Sequence, residues 1–136
     1  MTKVQDNPIK EAERYLENSR QILSEKAGKD GDYYNDPKYV RMAGRVAWQG
    51  VRAALDGLPE VKAKREVRRQ VRFEDYMEAV TQCDPKMSKP LFYTHETLQK
   101  VLIGDGNLSC GMVESGMNQA KEVIDWADRE YQKQHP

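Results

Sequence analysis

Two histidines, His95 and His135, and two cysteines, Cys83 and Cys110, are the scarce reactive side chains of this 136-residue sequence. Zinc needs donors at ligand spacing, and the sequence has neither an HExxH helix nor a Cys/His cluster. Helical bundles can hold two metals through glutamate and histidine three residues apart on facing helices, but no glutamate here precedes a histidine by three. Glu13 with Glu17, and Asp125 with Asp128, share faces with other charges and read as solvated helix surface. Asp105-Gly106-Asn107-Leu108-Ser109 imitates half a calcium loop, yet Cys110 stands where the turn glycine belongs and Gly116 where the bidentate glutamate belongs. Asp30-Gly31-Asp32 departs from the pattern in the same way, so both segments read as turns. Phosphate-cradling glycine loops and a Gly-x-Ser-x-Gly elbow are missing as well. The expectation is no cofactor, no metal and no catalytic residue.

Cys83 and Cys110 stand alone beside turns and read as small apolar residues, Cys83 with Asp84 beside it to disfavour a thiolate. His95 shares a helical face with Leu91, Leu98 and Leu102 and reads as a half-buried, satisfied histidine.

Charge is the second source of chemistry. The chain carries 22 Lys and Arg against 22 Asp and Glu. Residues 38–72, however, hold ten basic side chains and three acids, a surplus of seven that the rest of the chain cancels. Lys38, Arg41, Arg45 and Arg52 follow at steps of 3, 4 and 7 along one helical face, with Trp48 at its edge. Lys62, Arg65, Arg69 and Arg72 form a second line at steps of 3, 4 and 3. As a binding face the strip comprises Lys38, Arg41, Arg45, Trp48, Arg52, Arg65 and Arg69, suited to phosphates or an acidic partner. Glu11, Glu13, Glu17, Asp125 and Asp128 could instead neutralise it from neighbouring helices, with the arginine stems lying over Trp48. The one-for-one balance favours that internal pairing.

The elements that must position these groups are helices. Asn7-Pro8 and Asp36-Pro37 combine an N-cap with proline at the first helical position, and Asp84-Pro85 repeats the pattern. A first helix carries Ile9, Ala12, Leu16, Ile22 and Leu23 and stops at Gly28, before a turn-rich loop. In the second, Val40, Gly44, Ala47, Val51, Ala54 and Leu58 step by 4, 3, 4, 3 and 4, with small residues that let a neighbouring backbone come close. Tyr39, Met42, Val46 and Ala53 add apolar character on its far side, which suits a central helix or one shared with a second subunit. After Gly57-Leu58-Pro59 a third helix runs to about Thr81, with a slip between Val71 and Phe73 that predicts a kink or a change of face. A short helix follows Lys89-Pro90 through Leu102, and a last one runs from near Ser109 through Tyr131. No segment alternates with period two, so no strand is expected. The expectation is all-α, an up-and-down bundle of about five helices forming a single domain over 1–136.

Mean hydropathy of −0.89 excludes a membrane span. The opening Met1-Thr2-Lys3-Val4-Gln5-Asp6 has no apolar signal core, and the few cysteines suit a reducing cytoplasm.

Glu11 to Arg20, the loop ending in Tyr34-Asn35-Asp36, Lys38 to Gly44 and Trp48-Gln49-Gly50-Val51 together resemble an uncharacterised family of small helical proteins from Bacteroidetes. That resemblance implies a fold and no activity. More distantly, the first 60 residues are similar to HEPN domains, whose ribonucleases carry Arg and His with four to six residues between them. Arg129 and His135 match that spacing with five residues between them, but Glu130 replaces the usual small polar residue, and the pair is not read as catalytic. Many HEPN domains without the motif are partners of nucleotidyltransferases. The primary expectation is therefore a non-enzymatic cytoplasmic protein acting through a homodimer or a protein partner on helix two. The alternative is HEPN-like RNA binding or processing through residues 38–72, and a third is a small-molecule pocket near Trp48 and Tyr15.

Overall fold

Three prolines at helix starts and a run of small residues in the second helix govern the architecture. The computed structural model describes residues 7–68 and 70–136. The opening Met1–Asp6, read above for a leader, and Arg69 of the basic strip lie outside the described residues. Helix α1 (Pro8–Ile22) begins where the Asn7 side chain accepts from the Ile9 and Lys10 N–H groups, and runs on as a wide turn over Leu23–Ala27. Helix α2 (Pro37–Leu55) starts in the same manner, with Asp36 accepting from the Lys38 N–H at 3.0 Å.

Val40, Ala47, Val51, Ala54 and Leu55 of α2 are buried, and α2 packs against α1 on one side and the end of the fifth helix on the other. Gly50 and Gly44 permit that double contact. A Cβ at Gly50 would stand 3.0 Å from the Ala12 carbonyl oxygen of α1, and one at Gly44 would stand 2.8 Å from the Leu102 Cβ. Between them the Ser19 hydroxyl donates to the Ala43 carbonyl at 2.9 Å, joining α1 to α2 inside the core.

The expected third helix is two. Helix α3 (Pro59–Val67) stops where Arg68 turns extended at φ −123° and ψ 141°, and α4 (Phe73–Cys83) begins after Arg72. The Asp75 carboxylate accepts from the Arg72 N–H at 2.9 Å, which caps α4 and settles the slip between Val71 and Phe73 as a break. A single 3₁₀ turn over Pro85–Met87 leads into α5 (Ser88–Glu96), which widens into a π-helical end over Thr97–Gly104. Helix α6 (Cys110–Gln134) closes the bundle, so the described residues contain six α-helices in place of five.

A second difference is a two-stranded hairpin, β1 (Lys29–Asp30) with β2 (Tyr33–Tyr34). Its strands are too short for alternation to show in the sequence. Tyr34 donates its N–H to the Leu108 carbonyl at 2.8 Å, and Cys110 donates to the Asp32 carbonyl at 2.9 Å. These bonds pin the hairpin to the start of α6.

Candidate functional site

A seven-residue step returns a helix to nearly the same face. Lys38, Arg45 and Arg52 therefore stand in one exposed line on α2, about 21 Å long at the helical rise. None of the three joins an ion pair with an Asp or Glu among the described residues.

Other members of the predicted strip are engaged. Arg41 is half-buried and donates to the Asp105 carbonyl oxygen at 3.4 Å. Arg65 donates to Asp56 at 2.8 Å and to the Tyr76 hydroxyl at 3.4 Å, while Tyr76 donates to the same Asp56 oxygen at 2.7 Å. Arg68 faces Asp75 at 3.7 Å, and Lys64 pairs with Glu78. Burial pushes the Tyr76 hydroxyl above its usual range, with Arg52 pulling it back.

The acids that neutralise the strip are thus Asp56, Asp75 and Glu78, all close by in the chain. The expected partners are occupied elsewhere or open. Glu11 meets Arg14 at 3.7 Å, Asp125 meets Lys121 at 3.0 Å, and Asp128 accepts from Gln132 at 3.3 Å. Glu13 and Glu17 are exposed on α1. Internal pairing is a local matter of α2, α3 and α4, and it stops short of the α2 line.

Trp48 turns from that line into the protein. Its ring meets His95 edge-on at 4.9 Å and lies 6.0 Å from Phe73, and Phe73 stacks on His95 at 3.7 Å. His95 is half-buried as its leucine face implied, and burial lowers its pKa. Its Nδ1 is buried with no hydrogen-bond partner among the described residues, so the expectation of a satisfied histidine does not hold there. Burial also pushes the Cys83 thiol up to about 12, helped by a hydrogen bond to Glu130 at 3.3 Å. Burial, more than the adjacent Asp84, disfavours its thiolate.

At the C-terminal end of α2 a cleft of about 770 Å³ opens between α1, α2, α3 and the end of α6. Arg52 and Lys62 share its walls with Glu11 and Asp56, and Tyr15, Gln49, Tyr131 and His135 also line it. His135 is stacked on Tyr131 at 4.0 Å, and its Nδ1 lies 3.0 Å from the Tyr131 carbonyl oxygen. Arg129, its partner in the ribonuclease-like spacing, does not line the cleft. The sequence missed Asp56, Tyr76 and Phe73, whose only signal was their place beside the breaks at 57–59 and 68–72. No group of three or more His, Cys, Asp or Glu able to hold a metal gathers among the described residues, and none of their helices is long and apolar enough to cross a membrane.

The backbone closely matches a solved structure, that of a protein of unknown function from Dyadobacter fermentans. The two are 33% identical with a TM-score of 0.77, and the match covers 92% of this chain and 96% of that one. No curated protein matches the sequence. Residues 7–129 match the family model of a domain of unknown function, DUF5618. With nearly the whole described chain inside that match, the protein belongs to the DUF5618 family.

Proposed function

We propose that this protein is a non-enzymatic binding module whose α2 face docks an acidic protein partner. The observation that carries this reading is the exposed line of Lys38, Arg45 and Arg52, left without a carboxylate among the described residues while Lys64, Arg65 and Arg68 have theirs. Cations held on a rigid helix steer an acidic surface into register and speed its encounter.

Self-association through the same face is disfavoured by charge. A two-fold interface sets a patch against its own copy, and here that opposes positive to positive. The apolar far side that suggested a second subunit is also partly used within the chain, since Tyr39 and Ala53 pack on the core and Met42 and Val46 are half-buried. RNA binding through the strip has a weaker aromatic than the sequence offered, because Trp48 is half-buried and packs beside His95 and Phe73. The two unpaired cysteines suit a reducing cytoplasm.

Polyglutamate and a single-stranded RNA oligonucleotide serve as probes in a titration at low and high salt. The expected result is binding of polyglutamate that weakens with salt and falls about tenfold in Arg45→Glu. Absence of binding at low salt, or equal binding by the variant, overturns the reading. Preference for RNA overturns the choice of partner.

A further inference from the structure

A second cavity, of about 280 Å³, lies between α2, the start of α4 and α5. Trp48 and Arg52 come from α2, Arg72 and Phe73 from the α4 start, and His95 and Gln99 from α5 and its π-helical end. None of the lining residues is acidic. The nearest carboxylates acting on His95 are Glu96 and Glu74, and Glu96 is held by Lys100 at 2.8 Å. Neither Arg52 nor Arg72 joins an ion pair among the described residues.

The fold therefore brings two arginines, 20 residues apart in sequence, to one partly apolar wall whose own lining holds no acid, with Asp56 beyond Tyr76 on the Arg52 side. Like charges on one wall repel. An oxyanion bound there offsets that repulsion, and a guanidinium is a planar donor fork suited to an oxyanion. The Gln99 amide and the His95 imidazole supply further polar groups on the same wall. Arg52 is shared with the larger cleft, whose volume of about 770 Å³ is in the range of small-molecule sites. Tyr15 and Tyr131 give that cleft aromatic surface beyond the shared arginine.

We propose that the two cavities bind one phosphorylated aromatic small molecule of the nucleoside monophosphate type, with its phosphate between Arg52 and Arg72 and its ring in the cleft with Tyr15 and Tyr131. The inference shares Arg52 with the acidic-partner reading but is separable from it, because Arg72 is off the α2 line and Arg45 lines neither cavity.

Calorimetric titration of the full chain with a nucleoside monophosphate, the matching nucleoside and inorganic phosphate tests it. The monophosphate binds, the nucleoside gives no measurable heat, and phosphate alone binds about tenfold more weakly. Arg72→Gln and Arg52→Gln each weaken the monophosphate about tenfold or more, as expected for a lost charge-assisted hydrogen bond. Lys121→Gln on α6 binds as the wild type does. Arg72 is exposed, so its variant should keep the fold, which circular dichroism checks. The proposal is overturned if the monophosphate fails to bind, if the nucleoside binds equally well, or if Arg72→Gln behaves as wild type. Inorganic phosphate binding as tightly as the monophosphate overturns the role of the cleft.

Discussion

Asp56 accepts from both Tyr76 and Arg65 through one oxygen, joining the end of α2 to α3 and α4. The Arg65 pair is one-third exposed or more on both sides and contributes little by itself. The Tyr76 hydroxyl belongs to a buried residue, and stripping its acceptor leaves a costly orphan. Asp56→Ala should therefore lower stability by about 1–3 kcal/mol and Tyr76→Phe by about 1 kcal/mol, both read from urea unfolding. Equal and negligible losses would show that the knot holds nothing. His95 has a pH signature. Burial holds its pKa below the usual 6.5, against the pull of Glu96 and Glu74. As pH falls the unfolded chain takes up the proton first. The His95 contribution to stability is complete above pH 6.5, declines below it, and levels off once the folded imidazole also protonates. His95→Gln should flatten that slope in denaturation midpoints measured across the window.

At the scale of elements, close helix contact rests on two glycines of α2. Gly50→Ala would drive a methyl against the α1 backbone at 3.0 Å, with Tyr15 Cβ at 3.1 Å behind it. Backbone cannot give as a flexible side-chain end can, so the expected cost is about 1–3 kcal/mol in thermal or urea unfolding. Gly111→Ala, in the first turn of α6, meets only the Ser109 Oγ at 3.7 Å and should be neutral or stabilising by up to about 1 kcal/mol. Helix starts were legible at Pro8 and Pro37, because cap and proline act within three residues and need no tertiary help, and at Pro59 from the break and the proline alone. Asp84-Pro85 opened only a 3₁₀ turn, which α5 then takes over at Ser88. The break between α3 and α4 was visible as a slip in apolar spacing, but its cap is Asp75 holding Arg72, a bond that composition does not reveal. The hairpin at 29–34 was hidden because two-residue strands have no period to read.

For the whole molecule, a neutral total concealed an oriented charge. The surplus over residues 38–72 was readable by counting; its division into a tied half and an open half was not. That division depends on α3 and α4 folding back to give Asp56, Asp75 and Glu78 to Arg65, Arg68 and Lys64. The sequence likewise placed Trp48 at the edge of the strip, while its partners Phe73 and His95 come from α4 and α5. An open basic line on α2 is the centre of this account. It is tested most directly by amide shifts of the isotope-labelled protein as polyglutamate is added at low salt. The account predicts shifts concentrated at Lys38, Arg45, Gln49 and Arg52 and abolished by salt. Shifts confined to α6, or spread evenly over the surface, would contradict it.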